Sequence, residues 1–193
     1  MNVWQFISDK QSSSINVVML YVLKSEGSSP GRQGFSMAVA ADGHFFGSIG
    51  GGIMEHKFVE MAKSQLKSAS PAAAIYKQVH DKDVSKNQSG MICSGEQTIF
   101  LYHIQREDLR HINALVDSLR NNKNGSLRLT KAALTFSTDI PPANYQLEFN
   151  EDDFLLVEKT GYKNRLHIIG AGHCALAFSK LMREMDFYIQ LYE

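Results

Sequence analysis

Three consecutive glycines, Gly50 to Gly52, constrain this chain more than any other feature of its sequence. They stand between an apolar run that ends at Ser48 and a segment with helical apolar spacing that continues to Lys67, so a strand, a glycine loop and a helix are predicted. A helix cap alone explains three glycines poorly, because glycine loses more conformational freedom on folding than other residues. Exposed N–H groups at a helix N-terminus favour anions. We therefore interpret the loop as a site where an oxyanion approaches, with a flexible capped turn as the alternative.

A second glycine turn, Gly170-Ala-Gly-His-Cys-Ala175, fits the pattern G-x-G-x-x-[G/A] between a predicted strand and a predicted helix. In dinucleotide-binding folds the first glycine permits the tight turn and the second lets a pyrophosphate approach the backbone. Glu193 follows Gly170 by 23 positions, near the offset of about 20 expected for a ribose-binding acid. A full fold of this kind needs two βαβαβ halves, and this segment holds a single βαβ unit. Nucleotide binding and a purely packing role for these glycines both stay open.

The remaining periodicity predicts the rest of the fold. Residues 15–23 form an apolar run without alternation, typical of a strand buried on both faces. Asp42-Gly43 between two apolar runs predicts a hairpin, and residues 127–136 are interpreted as one strand. The fold class expected is α/β: an α+β N-terminal domain with a mixed sheet over residues 1–160, followed by a partial Rossmann-like βαβ unit over residues 161–193.

Composition excludes several classes of protein. Lysine and arginine number 20, as do aspartate and glutamate, so the formal net charge is zero and a nucleic-acid-binding surface is not expected. Two cysteines cannot form a disulfide framework, which favours a reducing, cytoplasmic location. The N-terminus lacks a basic start followed by a long apolar run, and no stretch has the roughly 18 apolar residues of a membrane span. We expect a cytoplasmic protein with no membrane partner.

Three single residues could carry chemistry. Cys93 lies between Gly90 and Gly95, where a loop could expose a reactive thiolate, although a buried inert thiol fits the sequence equally well. Glu55 falls in the first turn of the predicted helix, where it could accept from a ligand N–H or only offset the helix dipole. Cys174 is expected to pack. The histidines show no metal-ligand spacing, and no metal site is predicted.

The glycine signatures together resemble the XdhC/CoxI family of xanthine and carbon monoxide dehydrogenase maturation factors. The resemblance is carried by Glu26-Gly-Ser-Ser-Pro-Gly-Arg-Gln-Gly34, Met37, Asp42-Gly43, Gly47-Ser-Ile-Gly-Gly-Gly52, Glu55 and Gly170-Ala-Gly-His173, in that order. Members bind molybdenum cofactor and deliver it to a molybdenum hydroxylase. Two positions depart from the family pattern: Ile53 stands where members often carry cysteine after the glycines, and the family's C-G-G segment is Cys93-Ser94-Gly95 here.

The resemblance implies that molybdenum cofactor (molybdopterin) binds transiently; whether a nucleotide also binds at the C-terminal turn stays open. The phosphate of molybdopterin suits a glycine-lined helix N-terminus and Arg32. Its pterin edge suits a carboxylate, and its dithiolene-bound metal suits the Cys93 thiolate. The predicted cofactor-binding residues are Arg32, Ser48, Gly50, Gly51, Gly52, Glu55, Cys93, Gly170, Gly172, His173 and Glu193. No catalytic residue is predicted.

We therefore expect a cofactor chaperone more than a catalyst. Its implied partners are a xanthine dehydrogenase-type hydroxylase as client and a cysteine desulfurase that supplies the terminal sulfur. An NAD(P)-dependent oxidoreductase that uses the Gly170–Glu193 fingerprint, and a structural interaction module, are the alternatives. The single βαβ unit is too small to bury its own sheet, so it is expected to pack on the first domain, to complete a sheet with another subunit's copy or to begin a longer protein; of these, a homodimer is favoured.

Overall fold

The chain forms an α+β fold with four helices and eleven strands in the part that the structure describes. The computed structural model describes residues 2–69, 72–79, 95–183, 185 and 187–193. The elements are α1 (Val3–Ser12), β1 (Val17–Gly27), β2 (Ser36–Ala40), β3 (Phe45–Gly47), α2 (Gly52–Leu66), β4 (Ala74–Val79), β5 (Gly95–His103), α3 (Leu109–Arg120), β6 (Gly125–Leu129), β7 (Leu134–Ser137), β8 (Tyr145–Phe149), β9 (Phe154–Thr160), β10 (Asn164–Ile169), α4 (His173–Arg183) and β11 (Phe187–Tyr192). A 3-10 turn, Arg106–Asp108, precedes α3. The α+β class expected from the sequence is confirmed.

A five-stranded sheet in the order β3-β2-β1-β5-β4 is the centre of the fold. Strand β1 is buried on both faces from Val17 to Leu23, as its unbroken apolar run predicts. On one face Val18, Leu20 and Val22 pack with helix α2. The alternate residues of β1 pack with α1, α3 and a second sheet. Strand β1 therefore divides two hydrophobic cores.

The second sheet has the order β7-β6-β9-β8. Residues 127–136, interpreted from the sequence as one strand, are a hairpin in which Leu129 pairs with Leu134. The intervening residues turn the chain, and the Thr130 hydroxyl accepts a hydrogen bond from the Ala133 N–H at 3.1 Å. All pairings recorded in the two sheets are antiparallel. The mixed sheet expected for residues 1–160 is therefore wrong in this detail. Short turns make β2–β3, β6–β7 and β8–β9 antiparallel hairpins, and the long-range pairs β1–β5 and β6–β9 also run antiparallel.

The C-terminal unit is the βαβ arrangement that the sequence predicts. Strands β10 and β11 pair in parallel with Arg165 opposite Tyr188 and Ile169 opposite Tyr192, and α4 connects them. No residue of α4 is buried, and Ile169 is 88% exposed. This unit leaves much of its apolar surface uncovered in the single chain.

Helix α1 has no counterpart among the elements predicted from the sequence. Its Asn2 side chain accepts a hydrogen bond from the Gln5 N–H at 2.9 Å and so caps the helix. Val3, Phe6 and Ile7 recur at helical spacing and are buried against the first sheet. The capping residue and the i, i+3, i+4 pattern are the signals from which the helix follows.

Candidate functional site

Two glycine-bearing loops pack backbone to backbone beside the central sheet. The first joins β1 to β2 and contains Gly31, and the second joins β3 to α2 and contains Gly50. A Cβ atom on Gly31 would lie 2.1 Å from the Ile49 carbonyl oxygen, and one on Gly50 would lie 2.7 Å from the Gly31 nitrogen. Neither distance is possible for real atoms, so both positions require glycine. We call this pair the glycine-loop platform, residues 28–34 and 48–52.

A buried glutamine of β5 ties the two loops of the platform together. The Gln97 side-chain amide donates to the Gly31 carbonyl at 3.0 Å and to the Ile49 carbonyl at 3.1 Å. Gln97 is 1% exposed, and the Ser29 hydroxyl, also buried, donates to the same Gly31 carbonyl at 2.9 Å. Buried carbonyls need such donors, because an unpaired one costs the desolvation free energy of the group. Gln97 was not among the site residues predicted from the sequence.

Glu55, in the first turn of α2, closes the second loop through hydrogen bonds. Its Oε2 accepts from the Ser48 hydroxyl at 2.6 Å, from the Ile49 N–H at 2.9 Å and from the Gly51 N–H at 3.0 Å. The Gly50 N–H in turn donates to the Ser48 hydroxyl at 3.1 Å. The backbone amides of this loop therefore already bind an anion, the carboxylate of Glu55. This arrangement caps α2 even though no side chain caps it at Gly51.

The edge of the platform at the start of α2 is open. A Cβ atom on Gly51, where φ is +75°, would meet nothing within 4 Å. Gly52 begins the helix, so its N–H is among those that lack intrahelical partners, and Ile53 beside it is 59% exposed. Arg32 is exposed on the first loop and donates to the Gly27 carbonyl at 3.1 Å. The structure thus brings Ser48, the three glycines and Glu55 together, while Cys93 lies outside the described residues.

The C-terminal turn gathers the other predicted residues. Gly170 has φ of +98°, and its N–H donates to the Tyr192 carbonyl at 2.7 Å. Because Ile169 is paired with Tyr192, the turn and Glu193 lie at the same edge of the parallel strand pair. A Cβ atom on Gly172 would meet nothing within 4 Å, and His173 begins α4 with its side chain exposed. Cys174 is exposed as well, so the expectation that it packs is wrong. With no residue of α4 buried, there is no core for it to join.

A polar cluster that sequence reasoning missed joins the first sheet to the second. The Tyr21 hydroxyl of β1 donates to Glu158 of β9, and the Lys163 ammonium lies 2.6 Å from the other carboxylate oxygen. Burial raises the pKa of Tyr21 well above its usual value, and the Glu158 carboxylate raises it further. A Cβ atom on Gly34 would lie 3.1 Å from Glu158 Oε1. The cluster therefore fixes the end of the first glycine loop against the second sheet.

Comparison with known proteins agrees with the motifs of the N-terminal part. Residues 11–77, which include the whole glycine-loop platform, match the XdhC and CoxI family. The match covers 67 of the 193 residues. The family resemblance inferred from the sequence is confirmed.

Two longer proteins are similar to the chain. The uncharacterized protein YqeB of Escherichia coli K12 is 24% identical, with 81% of this chain and 32% of YqeB covered. A crystal structure described as a xanthine dehydrogenase from Bacillus halodurans matches with a TM-score of 0.66 at 20% identity, covering 99% of this chain and 62% of that one. The chain thus spans about a third of the first protein and under two thirds of the second. At this identity the structural match shows the fold.

No helix in the described residues is long and apolar enough to cross a membrane. Within the same residues, no group of three or more His, Cys, Asp or Glu side chains is placed to hold a metal ion.

Proposed function

We propose that this protein is a maturation factor for a xanthine dehydrogenase-type molybdenum hydroxylase and that it holds molybdenum cofactor for delivery to that enzyme. The observation that carries the proposal is the glycine-loop platform, which falls inside the family match at residues 11–77. Its two loops are packed so closely that Gly31 and Gly50 admit no side chain. A simple turn and helix cap do not need a second loop held at this distance.

The open edge of the platform suits the phosphate of molybdopterin. The first turn of α2 offers N–H groups and the positive end of the helix dipole, and Gly51 leaves the backbone uncovered. Arg32 on the neighbouring loop adds a positive charge. The amides of Ile49 and Gly51 are taken up by Glu55, so a phosphate binds beside this carboxylate or displaces it. When bound, the cofactor supplies the molybdenum centre that the client enzyme needs.

The test is cofactor loading. The protein is purified anaerobically from a host that makes molybdenum cofactor, and bound pterin is measured by fluorescence after oxidation. We expect pterin to copurify with the wild type and to be reduced in Ile53→Glu, which places a carboxylate at the open edge. Met185→Glu is the matched control, because Met185 is exposed to the same degree, 59%, and lies far along the chain in the C-terminal unit. Absence of pterin from the wild type, or equal loss in both variants, would contradict the proposal.

The thiol contact to the cofactor is proposed for Cys93 from the family resemblance. Cys93→Ser is expected to lower loading, and Cys174→Ser is the control, since Cys174 is exposed on α4. Unchanged loading in Cys93→Ser would remove this residue from the site. Delivery to an apo-hydroxylase, with and without a cysteine desulfurase, is then measured as recovered hydroxylase activity.

Nucleotide binding at the C-terminal turn is a second proposal. The support is geometric: Gly170 adopts positive φ, Gly172 leaves the turn uncovered, and Glu193 lies at the same edge. NAD is expected to raise the melting temperature of the protein by mass action, and Gly172→Asp is expected to abolish the shift. A shift that survives this substitution would refute the assignment.

A homodimer formed through the C-terminal unit completes the proposal. Leu176 and Leu181 of α4 are 55% and 62% exposed, which is unusual for large apolar residues on one helix. Light scattering of the full chain should give twice the chain mass, and Leu181→Glu should give a monomer. A monomeric wild type at micromolar concentration would contradict this part.

A further inference from the structure

A cleft lies between the second sheet and the βαβ unit. Its volume is about 660 Å³, and its lining includes Lys159, Lys163, Arg165, Tyr162, Tyr188 and Gln190. Arg165 and Tyr188 are register partners near the first residues of the parallel strands. Gly170 follows the last residue of β10, so the cleft and the C-terminal glycine turn are at opposite ends of this sheet.

The βαβ unit borders this cleft with charged, aromatic and polar side chains. Side chains alternate between the two faces of a strand, so Leu166 and Ile168 point away from Arg165. These two residues are partly buried, as expected for the face that α4 covers. Arg165, Tyr188 and Gln190 lie on the opposite face, at the end that borders the cleft, so the cleft wall there is charged, aromatic and polar.

The walls of the cleft are held rigidly. The Asn124 side chain accepts from the Tyr162 N–H at 2.9 Å and donates to the Tyr162 carbonyl at 3.2 Å. The Tyr162 hydroxyl donates to Asn122 at 2.8 Å, and its ring meets the Tyr188 ring edge-on with centroids 5.5 Å apart. The linker between β9 and β10 is therefore fixed to the α3–β6 turn. A preformed cleft of this kind loses little entropy when it binds a ligand.

Charge in the cleft is positive and only partly neutralised. Lys163 is paired with Glu158 at 2.6 Å. Among the described residues, Lys159 and Arg165 form no salt bridge. The Arg165 guanidinium instead lies 5.9 Å from the centre of the Tyr188 ring. In a concave site, two such cations raise the local concentration of anions. Arginine is suited to phosphate, and a tyrosine ring beside it is suited to stacking on a planar group.

We propose that this cleft binds a phosphorylated small molecule that contains a planar ring. Lys159 and Arg165 contact the phosphate, Tyr188 packs on the ring, and Gln190 hydrogen-bonds to its edge. The proposal goes beyond the proposed function and does not require it, because the cleft shares none of the residues of the glycine-loop platform.

The test uses the full chain and two pairs of probes, AMP with adenosine and FMN with riboflavin, each measured by titration calorimetry. At least one phosphorylated probe should bind saturably, about tenfold more tightly than its dephosphorylated partner, and more weakly as salt is raised. Arg165→Gln and Lys159→Gln should each remove about tenfold of that affinity, while Tyr188→Leu should weaken the phosphorylated and dephosphorylated probes alike.

Two controls separate this cleft from other sites. Lys180→Gln removes a charge from exposed α4 and should leave binding unchanged. Gly172→Asp blocks the glycine turn at the other end of the sheet, so the phosphorylated probe should still bind the cleft in this variant and Arg165→Gln should still weaken it there. Thermal melts confirm that every variant is folded. Failure of both AMP and FMN to bind at millimolar concentration would overturn the proposal. Binding that is lost in Gly172→Asp but retained in Arg165→Gln would also overturn it.

Discussion

Replacing Gln97 with leucine tests whether this side chain holds the two glycine loops together. The substitution removes the donor to the Gly31 carbonyl and to the Ile49 carbonyl in a site that is 1% exposed. A buried acceptor left without its donor costs about 1–3 kcal/mol. The Gly31 carbonyl keeps the Ser29 hydroxyl, so most of the loss falls on Ile49. We expect the free energy of unfolding to fall by about 2–3 kcal/mol.

The assay is urea denaturation followed by circular dichroism, supported by thermal melts. For a protein of this size the expected loss lowers the melting temperature by roughly 4–12 °C. Gln146→Leu is the control, because Gln146 is exposed on edge strand β8 and the same chemical change there should alter stability by less than about 0.5 kcal/mol. Pterin loading should fall in Gln97→Leu as well, since the platform loses its fixed spacing. If Gln97→Leu is as stable as the wild type, the hydrogen bonds do not hold the loops and the reasoning fails.

Three further outcomes are expected. Gly31→Ala should destabilise the protein by about 3 kcal/mol, because the added Cβ would lie 2.1 Å from a carbonyl oxygen of the facing loop. Gly172→Ala places its Cβ in open space and should leave stability unchanged in the same urea denaturation assay. Glu55→Ala should cost about 1–2 kcal/mol by removing the acceptor of two loop amides, and Glu55→Gln should cost less; equal losses would argue against the capping role. Burial lowers the pKa of His103, so the unfolded chain takes up its proton first as pH falls. Stability should therefore drop as pH is lowered below about 6.5, and His103→Gln should reduce that drop; an unchanged pH profile would show that another group is responsible.

The sequence predicted the elements that have regular apolar spacing. Strand β1 follows from an apolar run that is buried on both faces from Val17 to Leu23, and helix α2 follows from the helical spacing of its buried residues. The hairpin at β6 and β7 did not follow, because residues 130–133 interrupt an apolar pattern without a glycine or proline to mark the turn. The residues of the glycine loops were identified, but not the contact between the loops, since a contact between distant segments has no local signal.

The polar residues that organise the structure were missed for a common reason. Gln97 shares its strand face with Ile99 and Leu101, and Glu158 shares its face with Phe154 and Leu156. In each strand a polar side chain occupies a position that, by the alternation of side chains along the strand, faces the core. Such a residue must find partners when buried. The alternation along each strand can be seen in the sequence. The hydrogen-bond partners depend on the tertiary fold: Gly31 is a partner of Gln97, and Tyr21 is a partner of Glu158.

The position of β5 in the chain also determines when the platform forms during synthesis. Strands β1 to β3 and helix α2 lie within residues 17–66, so both glycine loops leave the ribosome before Gln97. Strand β1 pairs with β5 across more than 70 residues, from Tyr21 to Phe100, and pairing over such a separation forms slowly. Both hydrophobic cores stay open on the β5 side until this strand arrives. The glycine loops of a nascent chain therefore remain unjoined, and a ligand of the platform finds its site only after the central sheet has closed.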